Sequence, residues 1–496
     1  MSCSHAFYVF IATILVLGTS AGGAELTIDF DRRTQKAVVR GVVDGRALDA
    51  GVARATLQYR RSAPGPLTGE FVLRRHTIDD TIKEGDGQSI ADIDGDGQNN
   101  IIVGTGSGGK VYWYEKLSPY NWRRHLIAEG YTEIEGTIAA DFNGDGRIEV
   151  VIFDQATRNP PGLVDIAKQD TDDPRGSWST QRLDNAAHHT QQGLVYDVTG
   201  DGNPDFVYSI EGRAADDGGF YWMQNLGGDP LDPHNWVKHK IDQVSGAWWI
   251  DSNSPRDFSG NGRGGDILVS VREGRNRAHA QGAIIIYHRP DDPVHDPWEK
   301  TVIEDNSEYV PLHVVSADFS GNGDPRDIAS GGSHDGGKGL YWYEFATRQR
   351  HTVDTEGRWW GTYAIDINNS GHAEIISGTR SDNSLRIYSH SEQSGKYELV
   401  AQDSFLKPDD KIIFDDITGD GHRTEFFVGS DPDGIFWYQA FEVAWDRSDE
   451  IELDEAGRFE LHVAGLDPKD AHQFRLLIED SHGRVHPGRV QTVAAD

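Results

Sequence analysis

The chain has one cysteine, two methionines and only 47 lysines and arginines against 80 aspartates and glutamates. A lone thiol, Cys3, excludes an internal disulfide framework, so stability must come from packing or bound ions. A formal charge of −33 excludes nucleic acid or an anionic lipid surface as a partner. Disorder does not follow, because 37% hydrophobic and 10% aromatic residues suffice for a large core. Long apolar runs are missing too, apart from AFYVFIATILVL near the start, which leads into small residues at Ala21 and Ala24. Residues 1–24 therefore read as a signal peptide, and the mature protein is expected outside the cytoplasm, extracellular or periplasmic, without a transmembrane segment.

What the chain has instead is one acidic, glycine-kinked loop written seven times: DIDGDGQNN, DFNGDGRIE, DVTGDGNPD, DFSGNGRGGD, DFSGNGDPRD, DINNSGHAE and DITGDGHRTE. Their first aspartates recur about every 50 to 60 residues, the period of one supersecondary unit copied around an axis. Oxygen-bearing side chains at the first, third and fifth positions, with a further one near the ninth, suit a hard cation such as calcium. The metal-ligand candidates in the first three loops are Asp92, Asp94, Asp96 and Asn100; Asp141, Asn143, Asp145 and Glu149; and Asp197, Thr199, Asp201 and Asp205. Next come Asp257, Ser259, Asn261 and Asp266; Asp318, Ser320, Asn322 and Asp327; then Asp366, Asn368, Ser370 and Glu374; and finally Asp416, Thr418, Asp420 and Glu425. A metal-free Asx turn explains the same residues more plainly. A strand, not a helix, follows each loop (IIVGTG, FVYSI), which excludes an EF-hand.

Around each loop four short strands can be read, as in QSIADI, NIIVGTG, KVYWYEK and WRRHLIAE. Seven such units predict an all-β fold, a seven-bladed β-propeller over residues 66–440. The last unit lacks a fourth strand, and EFVLRRHTI (Glu70 to Ile78) is a fourth strand without a blade, so the two should pair and close the ring. Residues 25–65 and 441–496 each hold too few strands to stand alone. They are expected to form one discontinuous β-sandwich of immunoglobulin or fibronectin III type.

These loops and strands resemble the FG-GAP or VCBS repeats, the calcium-loop propellers of integrin α-chains and of secreted microbial proteins. The resemblance covers roughly residues 70–440. It implies several structural calcium ions; some propellers of this kind are polysaccharide lyases, and similar repeats occur in aldos-2-ulose dehydratase. It says little about function, because sites are grafted onto folds.

If the acidic loops occupy one end, the remaining connections form the other end and the mouth of the central channel. That end collects Arg158, Arg213, Arg272, Arg275, Arg277, Arg358 and Arg380, with His188, His189, His279, His313 and His334. It also collects Trp248, Trp249, Trp359, Trp360, Tyr131 and Tyr309. Arginine forks bind carboxylate or sulfate and indoles stack on sugar rings, so the mouth suits an acidic polysaccharide or oligosaccharide; singly, each residue is also explained by solvation or packing. The expected reaction is β-elimination on a uronate-containing glycan. Arg213, Arg272, Arg275 and Arg277 would neutralise the substrate carboxylate, His188 or His189 would take the proton, and Tyr309 or His334 would protonate the leaving oxygen. A hydrolase using Glu135 with Asp251 is the second enzyme reading, and a non-catalytic glycan- or protein-binding module is the alternative class. A monomer is favoured. Six residues before the first aspartates stand Asp86, Glu135, Gln191, Asp251, Leu312, Trp360 and Asp410, which would ring the mouth if the strands align. His76, His125, His239 and His351 recur at one place in the repeat and read as structural.

Overall fold

Every acidic loop is followed by a largely apolar run such as IIVG or VVIF, and these segments are buried as strands with both faces covered. In the computed structural model they form the second strands of seven four-stranded sheets. The structure describes residues 24–31, 36–43, 52–62, 71–155, 162–185, 190–212, 218–272, 282–305, 310–332, 338–368, 370–391, 393–403, 408–419, 425–430, 434–442, 446–447, 458–464, 471–480, 485–487 and 491–493. Blades 1 to 6 occupy 87–129, 134–185, 190–242, 247–305, 311–354 and 359–403. Blade 7 combines Pro408–Asp415, Glu425–Ser430 and Gly434–Glu442 with a fourth strand, Phe71–Asp79, from the front of the chain. The first strands touch one another in a closed circle, blade 7 against blade 1 included, so the fold is a seven-bladed β-propeller. At that seam the backbones come close: a Cβ on Gly429 would lie 2.1 Å from the carbonyl oxygen of Gly85.

The four recurring histidines pack as the repeat suggests. His76, His125, His239 and His351 stack on Trp437, Trp113, Trp222 and Trp342, with ring centroids 4.2, 4.5, 4.3 and 4.1 Å apart. Each pair joins the third and fourth strands of one blade.

A second recurring device joins neighbouring blades. Tyr208, Tyr287, Tyr388 and Tyr438 donate their hydroxyls to Asp184, Asp242, Asp354 and Asp403 at the ends of the preceding blades' fourth strands, at 2.6–2.8 Å. Tyr114 to Asp79 and Tyr343 to Glu304 repeat the bond at 2.9 Å. Each acid also meets a cation: Arg124, Lys238, Lys300, Arg350, Arg386 and Arg75 serve the six junctions in turn. Between blades 1 and 2 the roles invert, and Tyr131 donates to Asp165 of blade 2, which Arg182 holds. Burial first, then the facing carboxylate, raises Tyr287, Tyr388 and Tyr438 well above the ordinary phenol range.

Outside the propeller a second compact unit unites residues 1–70 with 442–496. Lys36–Val43 pairs with Ala24–Asp31 and with Arg458–Ala464, and Val52–Ser62 pairs with Ala471–Asp480, so both of its sheets mix strands from the two ends of the chain. Of residues 1–24, read as a signal peptide, all but Ala24 lie outside the described residues.

Candidate functional site

The acidic loops join the first and second strands of each blade and share one set of bonds. In loops 1 to 6 the first aspartate accepts the backbone N–H groups four and five residues later. Asp92 does so from Asp96 and Gly97 at 3.1 and 2.9 Å, and Asp318 from Asn322 and Gly323 at 3.1 and 2.6 Å. The glycine at the sixth position turns at positive φ, 86° at Gly97 and 84° at Gly323, which explains the motif's strictest residue. The second strand begins with a buried acid that accepts a backbone N–H from the start of the loop. Glu149, Asp205, Asp266, Asp327, Glu374 and Glu425 bind the N–H groups of Phe142, Val198, Ser259, Ser320, Ile367 and Ile417 at 2.7–3.1 Å. Burial pushes Glu149 up to about 7, Asp205 to about 6 and Glu374 to about 8. In loop 1 this place belongs to neutral Asn100, which accepts from Ile93 at 2.8 Å.

Loop 1 has its negative charge elsewhere. Asp92, Asp94 and Asp96 each bring one carboxylate oxygen within 4.8 Å of the others, the only such group among the described residues. Oδ1 of Asp94 is buried without a hydrogen-bond partner. Burial, then the charges of Asp96 and Asp92, raise the Asp94 carboxyl above its usual range. Three converging hard oxygens, one otherwise unsatisfied, fit calcium. Loops 2 to 6 carry fewer carboxylates at the first, third and fifth positions, and Asp420 of loop 7 lies outside the described residues.

At the opposite end the first strands of blades 2 to 7 slip register, whereas that of blade 1 runs unbroken. Bulges re-aim side chains, here beside the channel mouth. Glu135, Gln191, Leu312 and Asp410 stand in these bulges and Trp360 beside one. Asp251 does not join them: blade 4 inserts residues between its first strand and Asp257, so counting back six residues falls short of the mouth. Asp251 is fully buried at the strand's other end, bonded to Ser254 and to Ser316 of blade 5, which removes the pairing of Glu135 with Asp251. Lys411, also in a bulge, reaches from blade 7 to the carbonyls of Gln88 and Thr137 at 3.0 and 3.3 Å, tying three blades together.

Blades 4 to 6 bring together much of the predicted rim. The Arg272 guanidinium lies 4.2 Å over Trp248 and is held by Glu211 of blade 3 at 2.7 Å. At the matching place in blade 6, Arg380 lies 3.7 Å over Trp360. The backbone N–H groups of Arg272 and Arg380 bond the carbonyls of Gly246 and Arg358 at 2.9 and 3.0 Å, so the two stacks are built alike. Between them His313 of blade 5 meets the edge of Trp249 at 4.1 Å and accepts the Gly361 N–H on Nδ1 at 3.0 Å. Trp359 is not on this surface; it is fully buried in blade 6, edge-on to Tyr388. Trp248 and Trp249 are covered as well, leaving the arginines outermost. His188, His189, Arg213, Arg275, Tyr309, His334, Arg158, Arg277 and His279 lie outside the described residues. The inter-blade tyrosine bonds escaped the sequence reading, although their acids close the fourth strands in register (HTID, HKID, HTVD).

Residues 92–152 match the family model of the FG-GAP-like repeat. No curated protein matches the chain in sequence. Among solved structures it is similar to BBS1N in complex with ARL6DN (10% identity, 79% of this chain and 97% of that one, TM-score 0.44). It is also similar to the Dos1 propeller (8%, 85% and 93%, 0.43) and to the WD40 domain of Toxoplasma gondii coronin (11%, 76% and 88%, 0.45). No helix among the described residues is long and apolar enough to cross a membrane. Blade geometry and the matched segment together make the protein a seven-bladed β-propeller that carries an FG-GAP-like repeat.

Proposed function

We propose that the protein is an exported, calcium-stabilised propeller that binds an acidic polysaccharide at the mouth opposite its acidic loops and cleaves it by β-elimination. The single observation behind this reading is the pair of matching arginine–tryptophan stacks in blades 4 and 6, in a chain with 80 acidic and only 47 basic residues. A guanidinium held over an indole is fixed in place, and its N–H groups suit carboxylate and sulfate. Because the indoles are covered, recognition would run through charge more than through sugar stacking.

In the elimination, a base removes the proton α to the uronate carboxylate and the electron pair forms a carbon–carbon double bond. The glycosidic carbon–oxygen bond then breaks, and the departing oxygen takes a proton. His188 or His189 would be the base and Tyr309 or His334 the acid. Arg213, Arg272, Arg275 and Arg277 would offset the charge building on the carboxylate. The strands flanking these segments end at the mouth.

One observation favours a second reading, a binding module without turnover. Among the described mouth residues the only imidazole, His313, is buried and already accepts a backbone N–H on Nδ1, so it is not poised as a base. Incubation with alginate, pectin, ulvan, glucuronan and gum arabic separates the two. Elimination leaves an unsaturated uronate absorbing in the near ultraviolet, which His188→Ala with His189→Ala should abolish. Saturable binding without absorbance would leave only the module, and neither on any glycan would overturn both.

A further inference from the structure

The residue just before the first aspartate of each loop is Ala91, Ala140, Tyr196, Arg256, Ala317, Ile365 and Asp415 in turn, so one blade alone places a cation there. Arg256 is half-buried at the seam between blades 4 and 5. Its backbone bridges to Asp266 of its own blade at 3.0 and 2.9 Å. Its side chain crosses to blade 5, where Nε donates to Ser316 Oγ at 2.6 Å and Nη2 to the Ser316 carbonyl at 3.0 Å. These bonds fix the guanidinium and leave Nη1 without a hydrogen bond among the described residues. No carboxylate there pairs with it directly. The fully buried Asp251 is reached only through the Ser316 hydroxyl, and Asp324 is taken by Arg326. Burial holds Arg256 below the usual guanidinium range, with the charges of Asp251 and Asp324 opposing. A half-buried cation without a direct counter-ion is costly unless something outside the chain supplies one.

Arg326 comes from the other wall of the same seam. Asp324 grips it as a fork, accepting Nε on Oδ1 and Nη2 on Oδ2, both at 2.7 Å, and its guanidinium lies 4.8 Å over Phe345. Its Nη1 has no hydrogen bond among the described residues and reaches loop 4, where a Cβ on Gly260 would stand 3.8 Å away. Asn322 Oδ1 accepts the Asp324 N–H at 2.7 Å, which leaves Nδ2 as a further donor. The acids here are already satisfied: Asp324 by Arg326, and Asp257 by the N–H groups of Asn261 and Gly262 at 3.0 and 2.8 Å. With Pro255 and Pro325 these residues line an open groove of about 670 Å³. Its unused hydrogen-bonding capacity is therefore that of fixed donors, which suits an oxyanion.

We propose that this groove is a second subsite for an acidic glycan, in which Arg256 and Arg326 hold the carboxylate of one uronate unit and Asn322 donates to a ring or glycosidic oxygen. The volume admits about one or two sugar units. That the ligand is a sugar rests on the acidic-polysaccharide reading above; that it is an oxyanion rests on the groove itself. A subsite at this end, remote from the mouth, holds the polymer without taking part in its cleavage.

The test is isothermal titration of the full chain with sodium glucuronate, with sodium sulfate and glucose as competitors. Arg272→Ala combined with Arg380→Ala weakens the mouth, and glucuronate should still bind one site in that variant. Adding Arg256→Gln should weaken this remaining binding about tenfold or more. Sulfate should compete and glucose should not. Absence of binding in the mouth variant, indifference to Arg256→Gln, or equal competition by glucose overturns the subsite. If Arg256→Gln does not fold, judged by near-ultraviolet circular dichroism, Arg326→Gln at its partly exposed position decides by the same loss. Should every glycan fail at the mouth while glucuronate binding still depends on Arg256, the proposed function falls and the oxyanion site stands. Should the mouth bind glycan while Arg256→Gln changes nothing, the subsite alone falls.

Discussion

The two ends of the propeller differ in which of their bonds recur from blade to blade. At the acidic-loop end the bonds that recur from loop to loop are local, as Asp141 with Asp145 and Gly146 and Glu149 with Phe142, while individual bonds, such as Asn225 to the Phe142 carbonyl and Arg289 to the Val198 carbonyl, cross between blades. At the mouth, Glu211 holds Arg272, Ser209 bonds the Trp248 carbonyl and Gly361 donates to His313, each across a blade boundary. Local bonds repeat with the sequence and resist change one loop at a time. Long-range bonds differ from blade to blade, which is what a site with one orientation needs. The repeat thus maintains the scaffold at one end and leaves the other free to specialise.

Chelation should break this contrast most severely, because it acts on one end alone. An ion present at a thousandfold above its dissociation constant contributes about 4 kcal/mol, so removing several should lower the melting temperature far more than any substitution at the mouth. A chelated protein that melts where the loaded one does would remove the difference between the ends. Metal-free protein should also show a pH dependence. Glu149, Asp205 and Glu374 are raised to about 7, 6 and 8 by burial, while their unfolded values stay near 4. The folded chain then holds more protons than the unfolded one between these values, so chelated protein should lose stability as pH rises from about 5 to 8. Thermal melts at three pH values in chelator check this, and a rising trend would contradict the buried-acid account.

Smaller effects test the two kinds of bond singly. Glu374→Ala leaves the Ile367 N–H and the Ser389 hydroxyl without their acceptor and should cost about 1–3 kcal/mol in urea unfolding, whereas Glu374→Gln should retain most of it. Tyr438→Phe removes one inter-blade bond to Asp403 while keeping the ring, and should cost about 1–2 kcal/mol. Arg380→Ala should be mildest on stability, about 0.5–1 kcal/mol, yet should weaken polyanion binding about tenfold. A larger stability loss there, with binding unchanged, would make the stacks packing devices.

Much of the architecture was readable in advance. The sevenfold loop, the apolar second strands and the orphan strand before the first loop sufficed for blade number and for closure by Phe71–Asp79. The donated strand could be read because blade 7 visibly lacked a partner. The mouth was readable only as a list of residues. Bulges in blades 2 to 7 decide which side chains turn inward, and they leave no mark in the hydrophobic pattern. Trp359 and Trp360, consecutive in one strand, face opposite sides by ordinary alternation, one into the blade core and one beneath Arg380. Asp251 was misplaced because a fixed count cannot see an insertion between strand and loop.

Taken alone, the order of residues determined the repeated unit, the acid-and-glycine turn and the number of blades. All three depend on interactions between neighbours in the chain, and such interactions recur wherever the motif does. Tertiary structure decided the pairing of Tyr208 with Asp184, the burial of Asp251 and the stacking of Arg272 on Trp248. Those outcomes depend on where closed, twisted sheets bring side chains within bonding distance, a distance that spacing along the chain does not encode.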